Sequence, residues 1–150
     1  MIEAADAPET LLLDTSFLGH ELKAKKRPER YEHWDRLALD RVSRSIRAIS
    51  VVTVAEERAG WISANWGEAT VSQRMATLRG HLWIPIDPQI VDRWSELRAH
   101  CLMNGINGPG DNDLWIVATA IEHNLPLVTS DKAQGELPGL SEAIHLAAPH

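Results

Sequence analysis

With 150 residues, the chain is long enough for one domain with a substantial core, and its 44% hydrophobic and 24% charged residues are ordinary for a globular protein. No apolar run approaches the roughly 20 residues of a membrane span, the acidic N-terminus lacks the apolar centre of a signal peptide, and Cys101 is the only cysteine. We therefore expect a single cytoplasmic domain over residues 1–150, without membrane contact or disulfides, whose net charge of −6 argues mildly against nucleic-acid binding.

The first half of the chain alternates short apolar segments with helical patterns. TLLLD predicts a buried strand that ends at Asp14, and TSFLGHELKAKK predicts the helix after it. Apolar residues at helical spacing predict a long second helix from Pro28 to about Arg47. AISVVT is the second predicted strand, and two more helices follow, over VAEERAGWISANW and EATVSQRMATLRGH.

The second half continues the alternation. LWIPI predicts a third strand, PQIVDRWSELRAHCLM a helix, and NGINGPGD a glycine-rich loop. A nearly all-apolar helix then begins at Asp113, followed by the strand PLVTS, a loop over residues 132–139 and a last strand near AIHLA. This order predicts an α/β fold in which helices flank a parallel sheet of four to five strands.

The basic residues are concentrated in one segment of the chain. Residues 23–47 hold nine of the 15 basic residues but only four acidic ones, so the segment carries +5 and the rest of the chain −11. The nine are Lys23, Lys25, Lys26, Arg27, Arg30, Arg36, Arg41, Arg44 and Arg47. A basic patch on an acidic body is typical of a phosphate-binding face, and a solvated helix surface is the alternative.

Four acidic residues, far apart in sequence, are predicted at one edge of the sheet. Asp14 ends the first strand, Glu56 lies in the first turn of the helix after the second strand, and Asp131 follows the fourth. Asp113 begins the helix that returns to that edge, where parallel strands place their ligand sites. Like charges repel unless a cation lies among them, and oxygen ligands without His or Cys suit Mg²⁺ or Mn²⁺.

Each of the four carboxylates also has a local explanation. Asp14 is a suitable N-cap, and Glu56 could form a capping box with Thr53. Asp113 could interact favourably with the positive end of its helix dipole, and Asp131 could make an Asx-turn. Because four acids share one edge, these separate explanations are less economical than a cation site.

Three segments resemble, in order, the sequence blocks of PIN-domain ribonucleases, and within them the VapC-type toxins of bacterial toxin–antitoxin pairs: LLLDTSFL, ISVVTVAEE and GDNDLWIVATAIEHNLPLVTSD. The resemblance covers roughly residues 10 to 131 and implies a three-layer PIN-like fold. It also implies the metal-binding quartet Asp14, Glu56, Asp113 and Asp131, with supporting hydroxyls at Ser16 and Thr129. The neighbouring acids Glu57 and Asp111 are alternatives, but Glu56 matches the glutamate of the family.

The resemblance further implies a Mg²⁺- or Mn²⁺-dependent endoribonuclease that acts on RNA, dimerises with itself and binds a small antitoxin. Lys25, Lys26 and Arg27 would hold flanking phosphates. One alternative is a non-catalytic α/β module that works through protein contacts. The other is a Mg²⁺-dependent phosphoaspartyl phosphatase, which would need a second Asp where this chain has Ser16.

Overall fold

Five short strands form one parallel sheet at the centre of the molecule. The structure is a computed structural model that describes residues 7–150. The strands are β1 (Thr10–Leu13), β2 (Ile46–Ser50), β3 (Leu82–Ile84), β4 (Leu127–Thr129) and β5 (Ala143–His145). Their order across the sheet is β3-β2-β1-β4-β5, and every neighbouring pair is parallel. The predicted fold class is confirmed, whereas the prediction of no signal peptide at residues 1–6 lies outside the described residues.

Helices pack on both faces of this sheet. They are α1 (Thr15–Lys26), α2 (Arg36–Arg44), α3 (Val51–Ser63), α4 (Glu68–Arg79), α5 (Pro88–Met103), α6 (Asp111–Glu122) and the short α7 (Lys132–Gly135). Within residues 7–150, none of the helices is long and apolar enough to cross a membrane.

Alternate residues of the strands divide the core into two halves, because successive side chains point to opposite faces of a sheet. Leu11 and Leu13 of β1 pack with buried residues of α1 to α4, whereas Leu12 packs with those of α5 and α6. Helix α6 is buried almost all round, as its sequence predicts. The two clusters give the three-layer arrangement of helices, sheet and helices.

The predicted long helix from Pro28 to Arg47 is wrong. A single 3-10 turn covers Pro28–Tyr31, α2 begins only at Arg36, and Arg47 already belongs to β2. A carboxylate oxygen of Asp35 accepts a hydrogen bond from the backbone N–H of Ala38 at 2.9 Å, so a new helix starts there. The segment of charge +5 is therefore spread over four elements: the end of α1, the 3-10 turn, α2 and the start of β2.

The boundary between β2 and α3 also differs from the prediction. Ser50 accepts a hydrogen bond from the N–H of Val52 at 3.0 Å and caps α3, so the β-branched residues 51–53 begin a helix rather than end a strand. Glu56 consequently lies in the second turn of α3, and the predicted capping box with Thr53 does not form. Similarly, α6 begins at Asp111 instead of Asp113, and α7 occupies part of the predicted loop 132–139.

Candidate active site

The site lies where the strand order reverses. From β1 the chain builds the sheet outward through β2 and β3, then returns to place β4 on the other side of β1. In parallel sheets of this kind, the carboxyl edge at such a switch point is the usual position of a ligand site. Asp14 follows β1 at this point, and its N–H donates to the carbonyl of Val128 in β4 at 2.9 Å.

Asp14 is held by two hydroxyl groups at this switch point. Its side chain is almost fully buried, and its Oδ2 accepts hydrogen bonds from Ser16 Oγ at 2.7 Å and from Thr129 Oγ1. The Ser16 hydroxyl in turn accepts from the N–H of Ser130 at 3.2 Å, and that of Thr129 from the N–H of Asp131 at 3.0 Å. The structure thus brings Ser16 and Thr129 to the same carboxylate oxygen.

Glu56 reaches the same edge from the second turn of α3. Its Oε1 accepts a hydrogen bond from Thr15 Oγ1 at 2.8 Å. Burial raises the pKa of Glu56, and the negative charges of Asp113 and Asp14 raise it further, while hydrogen bonds from Thr15 and Asn112 act in the opposite direction. Glu56 is therefore close enough to two other acids to interact with them electrostatically.

Asp113 is the third residue of α6 and caps the helix through its side chain. Its Oδ2 accepts a hydrogen bond from the N–H of Gly110 at 2.9 Å. Burial raises its pKa most, the charges of Asp14 and Asp131 raise it further, and the bond from Gly110 lowers it. A capping role and membership of an acidic group thus coexist at this residue.

Asp131 completes the group from the loop after β4. Its Oδ1 accepts from the N–H of Ala133 at 2.9 Å and caps α7. Like Asp14 and Asp113, it makes the local hydrogen bonds that its position at a helix start allows. These bonds do not neutralise its charge.

The neighbouring acids Glu57 and Asp111 are engaged elsewhere. Glu57 forms an ion pair with Arg74 of α4, in which each side chain is only 10% exposed. Asp111 is exposed, and its backbone carbonyl accepts from the indole of Trp94 at 3.2 Å. The geometry therefore favours Glu56 and Asp113 over these two neighbours as members of the group.

The four carboxylates have the chemistry of a divalent cation site. None of them forms an ion pair with a Lys, Arg or His in the described part of the chain. Burial raises the pKa values of Glu56 and Asp113 most, and the charges of neighbouring members of the quartet raise them further. Oxygen donors of this kind suit Mg²⁺ or Mn²⁺, so the residue set fits such an ion.

The side chains do not converge on one point as they stand. Across residues 7–150, no group of three or more His, Cys, Asp or Glu side chains is arranged to hold a metal ion. Each carboxylate of the quartet also accepts a hydrogen bond from a hydroxyl or an N–H of its own surroundings.

The predicted phosphate-binding residues lie at the far end of α1. Lys25, Lys26 and Arg27 are exposed, and they form no ion pair within the described chain. A helix rises about 1.5 Å per residue, so they stand roughly 15 Å along α1 from the acidic edge. Three other basic residues of segment 23–47 are paired with acids: Arg41 with Glu9 and Glu142, Arg44 with Asp40, and Arg47 with Glu21.

Two threonines that the sequence pattern did not single out also belong to the site. Thr15 donates to Glu56, and the hydroxyl of Thr53 lies 3.0 Å from that of Thr15. Thr15 stands directly after Asp14, which is the only sequence signal for its position. The importance of Thr53 depends on the start of α3, which the predicted β2–α3 boundary misplaced.

Comparison with known proteins places the chain among PIN-domain proteins. A family model of the PIN domain matches residues 11–140. Ribonuclease VapC5 of Mycobacterium tuberculosis is 36% identical over 95 residues, which cover 61% of this chain and 69% of the relative. Ribonuclease VapC4 of the same organism is 34% identical over 97 residues, which cover 60% of this chain and 70% of the relative. The resemblance inferred from the three sequence blocks is confirmed.

Solved structures show the same fold. A crystal structure of VapBC-5, a member of the VapBC family of toxin–antitoxin systems from Mycobacterium tuberculosis, matches with a TM-score of 0.63 and 30% identity. That match covers 92% of this chain and 99% of the other. DNA-bound VapBC from Salmonella typhimurium matches with a TM-score of 0.71 over 91% of this chain and 97% of the other. At 22% identity, this second likeness concerns the fold alone.

Proposed function

The chain belongs to the PIN-domain family, and from this membership and the site geometry we propose that it is a metal-dependent endoribonuclease, the toxin of a toxin–antitoxin pair. The observation that carries the proposal is the gathering of Asp14, Glu56, Asp113 and Asp131 around the switch point, where none of them has a basic partner among the described residues. The similarity to ribonucleases VapC5 and VapC4 supports the reaction class.

The quartet would hold one or two Mg²⁺ or Mn²⁺ ions. When bound, such an ion supplies activation of water and stabilisation of charge on the scissile phosphate. The protein's own contribution is to hold the ligands in place. Ser16 and Thr129 fix the orientation of Asp14, Thr15 holds Glu56, and the Gly110 N–H holds Asp113.

RNA would extend from the acidic edge along α1 toward its basic end. Lys25, Lys26 and Arg27 have no acidic partner in the described chain, so their charges are available to phosphates. Contacts of this kind position a nucleic acid without reading its sequence. The paired arginines Arg41, Arg44 and Arg47 are less suited to this role.

We also propose a small antitoxin as partner and a homodimer as the working form. The similar structure of VapBC-5, at 30% identity, is that of a member of a toxin–antitoxin family, which supports the antitoxin proposal. Expression of the chain alone should arrest growth, and co-expression of its antitoxin should relieve the arrest. The mass of the purified protein in solution should equal two chains. Unimpaired growth of cells that express the chain alone would contradict the toxin role, although not the ribonuclease chemistry.

A non-catalytic binding module is the second candidate function. It is favoured by the local hydrogen bonds of the carboxylates and by their failure to converge on one point among the described residues. Titration with Mn²⁺ separates the two candidates, because a module of this kind needs no cation.

The ribonuclease proposal is tested by sequencing RNA ends after brief expression in cells. The wild-type chain should create new ends at a small set of sites, and Asp14→Asn, expressed to the same level, should create none of them. Identical RNA ends with both chains would contradict the proposal.

A further inference from the structure

We propose that Thr15 is a positioning residue for Glu56, and that Thr53 orients it, so that the pair presents Glu56 to the cation of the site. The inference rests on the proposed function, because it assigns these hydroxyls to the same metal site. Three elements meet here: Thr15 is the first residue of α1, whereas Thr53 and Glu56 lie three positions apart on one face of α3.

The direction of the hydrogen bonds follows from the donors available. An ionised carboxylate can only accept, so the single proton of the Thr15 hydroxyl goes to Glu56 Oε1, 2.8 Å away. Thr53 Oγ1 lies 3.0 Å from the same Thr15 hydroxyl and is a second acceptor for its proton. Thr15 is thus held between Thr53 and Glu56, and we call this arrangement of the three side chains the relay.

Burial makes this relay rigid. Thr53 is fully buried, and a threonine side chain has few rotamers because it is branched at Cβ. Its hydroxyl therefore has a fixed position, from which it orients Thr15. Glu56 is different, since it is only partly buried and has three side-chain torsions to fix.

Without such a bond, repulsion from neighbouring acids would favour rotation of the Glu56 side chain away from the site. The charges of Asp113 and Asp14 both act on it, and rotation toward solvent would relieve both. The bond from Thr15 opposes this rotation. Because Thr15 directly follows Asp14, a single peptide unit links the backbone of one proposed ligand to the hydroxyl that holds another.

A merely structural role for the relay predicts a different outcome. If the hydroxyls only satisfy one another in the interior, their loss should lower stability and leave cation binding unchanged. If they position Glu56, their loss should weaken cation binding at equal fold integrity. Metal affinity separates these two possibilities, and melting temperature alone does not.

The experiment compares Thr15→Val, Thr15→Ser and Thr53→Val with a matched control, Thr119→Val. Thr119 is fully buried in α6, and its hydroxyl donates to the Trp115 carbonyl at 2.8 Å, so the control removes a buried threonine hydroxyl that holds no carboxylate. For each protein, the Mn²⁺ dissociation constant is measured by calorimetry at mildly alkaline pH. Melting temperature and the kcat and KM for RNA cleavage are measured in parallel.

We expect Thr15→Val to weaken Mn²⁺ binding about tenfold, the equivalent of one hydrogen bond to a charged group, and to lower kcat more than it changes KM. Thr15→Ser should restore affinity because it keeps the hydroxyl, and Thr53→Val should show a smaller loss. Thr119→Val should lower only the melting temperature.

Wild-type Mn²⁺ affinity in a folded Thr15→Val protein would overturn the inference and leave the proposed function intact. If Thr15→Val does not fold, affinity in Thr53→Val equal to that in Thr119→Val would overturn it in the same way. A wild-type protein that binds no Mn²⁺ would overturn both the inference and the proposed function.

Discussion

The carboxylate of Asp14, at the end of β1, accepts a hydrogen bond from the hydroxyl of Thr129, the last residue of β4. The two residues are 115 positions apart in the chain, and they meet because β4 returns to pair with β1. This contact lies at the switch point of the sheet, where a ligand site is expected. It joins the first and last sequence blocks of the PIN domain into one site.

Asp113→Asn should stabilise the metal-free protein. Asparagine can still accept the hydrogen bond from Gly110, so the cap of α6 should survive. The substitution removes a charge that Asp14 and Asp131 repel, and two charges 4 Å apart repel by about 1 kcal/mol in water and about 4 kcal/mol at an effective dielectric of 20. The lost dipole interaction is roughly 0.3–1 kcal/mol, so we expect a net gain of about 1 kcal/mol in EDTA.

Melting curves of wild type and Asp113→Asn, with EDTA and with millimolar Mg²⁺, measure this effect. Mg²⁺ should raise the melting temperature of wild type more than that of the variant, because the variant lacks one ligand charge. A variant clearly less stable than wild type in EDTA would show that Asp113 serves first as a helix cap.

The stability of the metal-free protein should also depend on pH because of the same group of acids. Burial and neighbouring acids raise the pKa values of Glu56 and Asp113 in the folded protein. In the unfolded chain, the pKa should be about 4.3 for the glutamate and about 3.9 for the aspartate. At pH values between the pKa of each group in the unfolded chain and its higher pKa in the folded protein, the folded state binds more protons than the unfolded state. The stability contributed by these two groups therefore falls as pH rises through that window.

The double variant Glu56→Gln with Asp113→Asn should lack this contribution. In metal-free buffer, the melting temperature of wild type relative to the variant should decrease between mildly acidic and neutral pH. Other acids titrate equally in both proteins, so the difference between the two curves isolates the pair. Parallel curves would contradict the assigned pKa directions.

The basic end of α1 should contribute RNA affinity. Replacing Lys25, Lys26 and Arg27 with alanine should weaken binding and reduce the salt dependence of log Kd by about 2, from about 0.7 per phosphate contact on single strands. Cleavage at saturating RNA should change little, since these residues stand roughly 15 Å from the acidic edge. Binding titrations over a range of salt concentrations provide the measurement.

A control variant with the same charge change carries alanine at Arg58, Arg79 and Arg98, which lie outside segment 23–47 and form no ion pair within residues 7–150. It should keep most of the wild-type salt slope. If both triple variants lose the slope equally, the effect is due to net charge rather than to a phosphate-binding surface.

Much of the fold was predictable because its signals are local. Helix α1 begins at the residue after Asp14 and ends at Lys26 as its pattern indicates, and α5 spans the predicted Pro88–Met103. Apolar strands that alternate with helices indicate a parallel sheet, and the sheet order follows once β4 is placed beside β1. The edge shared by the four acids could thus be inferred from the sequence alone.

The errors arose where a single capping residue outweighed a longer pattern. Asp35 and Ser50 each accept a backbone N–H and start a helix, although the surrounding residues indicated a continuous helix in one case and a continuing strand in the other. The pairing of Arg41, Arg44 and Arg47 with acids could not be inferred, because it depends on tertiary contacts. The relay through Thr15 was hidden for the same reason.

Cleavage of a single-stranded RNA by the purified protein, in Mg²⁺ and in EDTA, tests the proposed metal-dependent chemistry most directly. Asp14→Asn and Asp113→Asn are compared with Asp111→Asn, whose exposed acid lies two residues from Asp113 on the same helix. We predict that wild type and Asp111→Asn cleave in Mg²⁺ and stop in EDTA. Asp14→Asn and Asp113→Asn should stay folded and lose roughly a hundredfold or more in rate, since losing even an outer-shell partner costs about 10- to 100-fold. Full activity in both Asp14→Asn and Asp113→Asn, or undiminished cleavage by wild type in EDTA, would contradict the assignment of these carboxylates to a catalytic metal site.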